Sequence, residues 1–254
     1  MKIILRKLLA QMGFKIERIK NKSTRIDFVF SKAFEMQKYL TKKTNEEVVI
    51  FDIGACDGGT ALTYKTLFPM SKIYSFEPFP ESFSALVKNT SAYKDIISIN
   101  KGLGEREGTT KFNSNSYAPT NSLLKTHQSG AQVWGDGLLD TLETVEVELT
   151  TIDSFVKANE IQNIDILKMD VQGAEYMVIN GAKETLKKGI VQIIYTEIIT
   201  LPTYEQQLDF DEMINLLKAN GFKLYNLYNH SLTKEGELRQ VDAIFIKSTP
   251  HNKK

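Results

Sequence analysis

From residue 48 onward, short continuous apolar runs alternate with stretches whose apolar residues recur every three or four positions. Val48-Val49-Ile50-Phe51-Asp52-Ile53 runs straight into a glycine-rich turn, the pattern of a parallel strand buried on both faces. A helix is predicted over 59–68, a second strand over 72–77, a helix opened by Pro80 and continued over 81–89, and a third strand over 96–100. The rhythm resumes with a strand over 164–170, a helix over 174–186, a strand over 190–197 and a helix over 210–219 stopped by Asn220-Gly221. Two final strands, 222–228 and 243–247, are joined by too little chain for a helical crossover and should pair antiparallel. The expectation is an α/β fold: a doubly wound, seven-stranded, mostly parallel sheet closed by a C-terminal antiparallel hairpin.

Two regions depart from that rhythm. Residues 1–47 are expected to form an N-terminal helical extension, with Ile4, Leu5, Leu8, Leu9 and Met12 at helical spacing, ahead of a main domain over 48–254. Between 102 and 150, Thr109–Phe112 and Val145–Thr150 are strand-like. They bracket a long polar loop carrying Asn113, Asn115, Asn121, His127, Gly130, Gly135 and Gly137. A loop that long within a domain is usually functional or disordered, and here it is the candidate lid over an acceptor.

Composition narrows the class. The chain has 254 residues, 42% hydrophobic and 25% charged, which suits one large globular domain with a modest extension. Its net charge of +1 provides no strong field for nucleic acid. Residues 1–47 nevertheless hold 12 Lys/Arg against 5 Asp/Glu, so the extension carries +7 and the remainder −6. Such a basic helix can touch an anionic membrane surface or a lipid-linked acceptor. Its commoner use is packing on the main domain or a second subunit, and a homo-oligomer stays open. No apolar run reaches the roughly 20 residues of a transmembrane helix. Arg6 and Lys7 interrupt the only start resembling a signal peptide. With a single cysteine, Cys56, there is no disulfide framework, and a cytoplasmic location is expected.

The candidate chemistry lies at predicted strand ends, the ligand-binding edge of a doubly wound sheet. In Asp52-Ile53-Gly54-Ala55-Cys56-Asp57-Gly58-Gly59, glycines let the backbone approach a ligand as the first strand turns into a helix. A dinucleotide fingerprint would place glycine at Cys56, and the carboxylates of Asp52 and Asp57 disfavour a diphosphate. They suit a ligand bearing a sulfonium and an amino group. Glu77, 25 residues after Asp52, ends the second strand where a carboxylate can accept from both ribose hydroxyls of an adenosine; the bland alternative is a solvated turn residue before Pro78. Asp170 ends the fourth strand and Glu197 the fifth, two carboxylates converging beside the ligand. Lys168, inside an apolar strand, needs a partner, for which Asp170 or Glu197 is available.

Taken in order, these segments resemble the FkbM family of S-adenosylmethionine (SAM)-dependent methyltransferases. The resemblance rests on Asp52-Ile53-Gly54-Ala55, Phe76-Glu77-Pro78, Asn121-Ser122-Leu123, Thr150-Thr151-Ile152-Asp153, the run Lys168-Met169-Asp170-Val171-Gln172-Gly173-Ala174-Glu175, and Thr196-Glu197-Ile198. Together they span roughly residues 48–247. It implies a Rossmann-like class I methyltransferase sheet and, commonly, O-methylation of sugars or polyketide-type products. Family members often carry asparagine where this chain has Cys56. The expected SAM contacts are Asp52, Gly54, Ala55, Asp57, Gly58, Glu77, Pro78, Gly102 and Asp170.

Methyl transfer from a sulfonium is an in-line displacement in which alignment supplies much of the rate, and an alcohol needs its proton removed. Asp170 and Glu197 are the first candidates for that base, and His127 on the long loop is a second. No metal-ligand spacing is specific enough to assign, and a hard cation held with acceptor oxygens is left open. The expected acceptor is a small molecule or sugar rather than nucleic acid. Competing readings are a nicotinamide-dependent oxidoreductase, a nucleic-acid or protein methyltransferase, and a non-catalytic scaffold on the same fold.

Overall fold

A computed structural model describes residues 32–43, 45–135 and 137–248. The apolar repeat at Ile4, Leu5, Leu8, Leu9 and Met12 lies outside them. From the extension, Ala33–Thr41 forms helix α1. The order then runs β1 Val48–Ile53, α2 Gly59–Leu67, β2 Ser71–Phe76, α3 Pro80–Thr90, β3 Ile96–Ile99, β4 Gly102–Leu103, β5 Gly108–Asn115, a 3₁₀ turn Ala118–Thr120 and α4 Gly130–Trp134. It continues with β6 Thr141–Thr150, α5 Ile152–Ala158, β7 Ile164–Met169, α6 Glu175–Asn180, α7 Lys183–Lys187, β8 Val191–Ile199, α8 Phe210–Ala219, β9 Phe222–Leu232 and β10 Leu238–Lys247.

The main sheet has seven strands in the order β3-β2-β1-β7-β8-β10-β9. β1, β2, β3, β7 and β8 are parallel, and the β9–β10 hairpin pairs antiparallel. Both faces of this sheet are covered, as the unbroken apolar runs require. Ile73, Ile50, Ile166, Ile193 and Ile246 form one register row beneath α1 and α2. On the opposite face Tyr74, Phe51, Leu167, Ile194 and Phe245 align beneath α5, α6, α7 and α8. Each fully buried side chain of this kind contributes about 1.5–3 kcal/mol. One row nearer the carboxyl ends, on the α1 and α2 face, the pattern turns polar: Ser75, Asp52, Lys168 and Tyr195.

α1 is anchored to this face. Phe34 meets the rings of Tyr64 and Tyr195 edge-on at 5.1 and 5.7 Å, and the Tyr64 hydroxyl donates to Gln37 Oε1 at 2.7 Å. Among the described residues no helix is long and apolar enough to cross a membrane.

Three local expectations change. The single helix predicted over 174–186 is two, because at Gly181 the chain passes so close to the Gly104 carbonyl that a Cβ would lie 2.0 Å from its oxygen. The hairpin strands extend beyond 222–228 and 243–247, where mixed polar residues hide a half-exposed strand. The long polar loop is shorter and more ordered than its composition suggests. β5 and β6 extend into it and form, with β4, a second sheet in the order β4-β6-β5. The Asn113 amide donates to the Leu124 carbonyl at 2.9 Å, the Asn115 amide to the Thr120 carbonyl at 2.7 Å, and Ser122 Oγ to the Gln172 carbonyl at 2.7 Å. These asparagines satisfy buried backbone oxygens. The candidate lid is a wall pinned to the strand ends.

Candidate functional site

A cavity opens at the carboxyl ends of β1, β2 and β7. Its wall combines Gly54, Cys56, Glu77, Asp170 and Gln172 with apolar Pro78, Leu103, Phe112, Pro119 and Leu123. The second sheet and the 3₁₀ turn supply several of these apolar residues, which places the long insertion beside the strand ends.

The turn after β1 is built by backbone constraint. Gly54 (φ 74°) and Ala55 both donate N–H to the Phe76 carbonyl, at 3.1 and 3.0 Å. A Cβ on Gly54 would lie 1.9 Å from the Asp170 carbonyl oxygen. Cys56 also holds positive φ, 48°, a region where asparagine is several-fold enriched and cysteine is not. Cys56 lines the cavity half-buried, and burial, then the Glu77 and Asp57 carboxylates, push its thiol pKa upward.

Glu77 joins this turn to the next. Its Oε2 accepts from the Cys56 amide at 2.8 Å and its Oε1 from the Phe79 amide at 2.9 Å. Burial raises its pKa to about 7 against the opposing effect of those two hydrogen bonds. The carboxylate lines the cavity, and each oxygen keeps a lone pair for a second donor.

Asp52 is fully buried, is not part of the cavity wall, and pairs with Lys168 at 2.9 Å. The partner of Lys168 is thus Asp52, with Asp170 at 4.0 Å, and among the described residues Glu197 forms no ion pair with it. The ammonium also donates to the Gly54 carbonyl at 2.9 Å and the Ile53 carbonyl at 3.3 Å. Burial opposes its charge, but the Asp52 and Asp170 carboxylates outweigh burial and raise its pKa.

Asp170 stands on the cavity wall with its side chain 44% exposed. Its Oδ1 accepts from Gln172 Nε2 at 2.8 Å, and the same amide donates to Glu197 Oε2 at 2.9 Å. Glu197 Oε1 accepts from Gln240 Nε2 at 2.5 Å. Burial and then the neighbouring charges of Asp170, Glu175 and Asp242 raise the Glu197 pKa well above the usual carboxylate range.

The structure thus gathers Gly54, Glu77, Pro78, Gly102 and Asp170 around one cavity. Asp52, Ala55, Asp57 and Gly58 stand outside its wall. Asp57 Oδ1 accepts from the Gly59 amide at the start of α2, and Gly58 packs on Leu86 and Thr90 of α3. Glu197 reaches the cavity only through Gln172. His127 is also outside, its Nδ1 2.7 Å from Ser129 Oγ and its backbone N–H bonded to the Thr203 carbonyl. Sequence reasoning passed over Gln172 and Tyr204, whose hydroxyl lies 3.1 Å from Gln172 Oε1; a buried amide leaves no periodic or compositional mark. Among the described residues no group of three or more His, Cys, Asp or Glu side chains is arranged to hold a metal ion.

Glycine backbone, the Glu77 and Asp170 carboxylates and apolar side chains share the wall, a mixture suited to a ligand with polar and apolar parts.

Comparison with known proteins agrees. A sequence family described as the methyltransferase FkbM domain matches residues 52–224. The 2-O-methyltransferase NoeI of Sinorhizobium fredii is 31% identical over 181 residues, covering 67% of this chain and 71% of that protein. The hexuronic acid methyltransferase AglP of Haloferax volcanii is 25% identical over 162 residues, covering 63% and 60%. Among solved structures, the CurJ carbon methyltransferase superposes with a TM-score of 0.52 at 11% identity, over 85% of this chain and 52% of that one, a likeness of fold alone. With the matched segment running from the first strand's end into the closing hairpin, this chain belongs to the FkbM family of SAM-dependent methyltransferases.

Proposed function

We propose that this chain transfers the methyl group of SAM to a hydroxyl oxygen of a sugar, glycan precursor or related small natural product. The observation that carries the reading is Asp170, a partly exposed carboxylate on the cavity wall with one oxygen held by an amide donor. The name of NoeI, a 2-O-methyltransferase, favours an oxygen as the target, and that of AglP, a hexuronic acid methyltransferase, favours a sugar as the acceptor.

SAM supplies a methyl carbon made electrophilic by its sulfonium. Glu77 would accept hydrogen bonds from the ribose hydroxyls, and Gly54, Pro78 and Gly102 would border the ligand on the cavity wall. Asp52, Ala55, Asp57 and Gly58 act indirectly by holding the turn. Asp170 accepts the acceptor's hydroxyl proton as the new oxygen–carbon bond forms and the sulfur departs as a neutral thioether, so charge balances. Positioning and proton removal are thereby supplied by residues of this chain.

The test incubates the protein with isotopically labelled SAM and panels of sugars, nucleotide sugars and phenolics, with product identified by mass. Asp170→Asn is expected to lower kcat at least about a hundredfold while the SAM Kd stays within about threefold. Wild-type turnover in that variant, or label appearing on nitrogen or carbon, would overturn the reading.

A further inference from the structure

A single primary amide stands between the two carboxylates at the ends of β7 and β8. Gln172 is 8% exposed, and its Nε2 gives one hydrogen to Asp170 Oδ1 and the other to Glu197 Oε2. Its Oε1 faces the buried Tyr204 hydroxyl at 3.1 Å. A flipped amide would turn that oxygen toward the Asp170 carboxylate, so electrostatics favours the donor side there. The main chain is held as well: φ is 54°, and the carbonyl accepts from Ser122 Oγ at 2.7 Å. Behind the amide, Glu197 has both oxygens engaged, by Gln172 and by Gln240.

We infer that Gln172 is a positioning residue for methyl transfer, a clamp that fixes the Asp170 carboxylate, and that Glu197 serves the reaction only by anchoring that clamp. The inference rests on Asp170 being the group that meets the acceptor hydroxyl. A carboxylate's terminal torsion is broad, so an unrestrained Asp170 would sample many orientations. With Oδ1 tied to Gln172, the torsion is set and Oδ2, 4.0 Å from Lys168 Nζ, remains available. The required property of Glu197 is a hydrogen-bond acceptor at Oε2, which a glutamine also provides. Its carboxylate character is not needed.

The test is a comparison of four variants in the full chain. Glu197→Gln, which still accepts from Gln172, is expected to keep kcat within about threefold of wild type, whereas Glu197→Met loses about tenfold. Gln172→Met, close in length and lacking both donors, is expected to lose about tenfold in kcat with the SAM Kd within about twofold. Gln172→Asn, too short to reach both carboxylates, should lose about tenfold and decides the matter if Gln172→Met does not fold. A Glu197→Gln variant as inactive as Asp170→Asn would make Glu197 a reacting group and overturn the inference; so would wild-type kcat in Gln172→Met. If the wild-type chain binds SAM but methylates no hydroxyl, the functional reading fails separately. The clamp is then decided without turnover by the NMR signals of the Gln172 side-chain amide. They should move in both Asp170→Asn and Glu197→Met, and signals unmoved by either substitution would overturn it.

Discussion

The Lys168 ammonium donates to the Gly54 carbonyl at 2.9 Å, and this hydrogen bond joins neighbouring strands where the cavity begins. The same ammonium neutralises the fully buried Asp52. One cation thus settles a buried charge and holds the turn at the cavity wall.

Replacing that cation should therefore cost both stability and binding. Lys168→Met leaves Asp52 buried without its counter-charge, and breaking a buried pair from one side typically costs about 3–5 kcal/mol. Denaturant unfolding should show a loss of that order. The double variant Asp52→Asn/Lys168→Met should recover part of it. Unfolding at the wild-type midpoint in the single variant would show that the pair contributes nothing.

Gly54→Ala tests the close approach. The added Cβ would lie 1.9 Å from the Asp170 carbonyl oxygen, at a φ of 74° that alanine disfavours. Separation of β1 from β7 at the cavity mouth should follow, with SAM affinity falling by at least about tenfold, since a 1.4 kcal/mol loss is enough. Calorimetric titration measures this, and an unchanged Kd would remove Gly54 from the site.

Glu77 introduces a pH dependence with a definite sign. Burial raises its pKa from 4.5 to about 7 in the folded chain, so folded protein binds the proton more tightly than unfolded protein. Its contribution to stability is fully present below about pH 4.5 and is lost as pH rises through about 7. Ribose recognition has the opposite requirement, because the carboxylate form accepts two hydroxyl donors. SAM affinity should consequently weaken as pH falls from 8 to 6. In Glu77→Gln, affinity should be lower throughout and nearly flat with pH. A wild-type affinity without pH dependence over that range would refute the ribose contact.

Cys56 holds positive φ on the cavity wall, and its thiol pKa is raised. Alkylation at neutral pH should therefore be slow, SAM should protect against it, and the modified protein should no longer bind SAM. Cys56→Asn suits the backbone better and should raise the unfolding free energy by about 0.5–1 kcal/mol. Equal alkylation rates with and without SAM would place the thiol away from the ligand.

The sheet was legible in the sequence because burial on both faces leaves strands such as Val48–Ile53 and Ile164–Met169 continuously apolar. Asp52, Glu77, Asp170 and Glu197 were legible as well, since strand ends are where polar residues interrupt such runs. Local patterning does not specify which charge meets which. Lys168 pairs across the sheet with Asp52 through the parallel register of β1 and β7, a relation between residues 116 positions apart.

The chain's order of apolar runs, glycine turns and acidic strand ends was sufficient to determine the doubly wound sheet and the edge at which the cavity opens. Tertiary structure alone decided that Asp52 is sequestered while Asp170 faces the cavity, that the polar 113–124 segment is a pinned wall, and that Gln172 links two carboxylates. The physical reason is that hydrophobic periodicity is local and repeats along the chain. A buried hydrogen bond depends on register, crossover and close approach between distant segments, none of which is written in the spacing of the residues it joins.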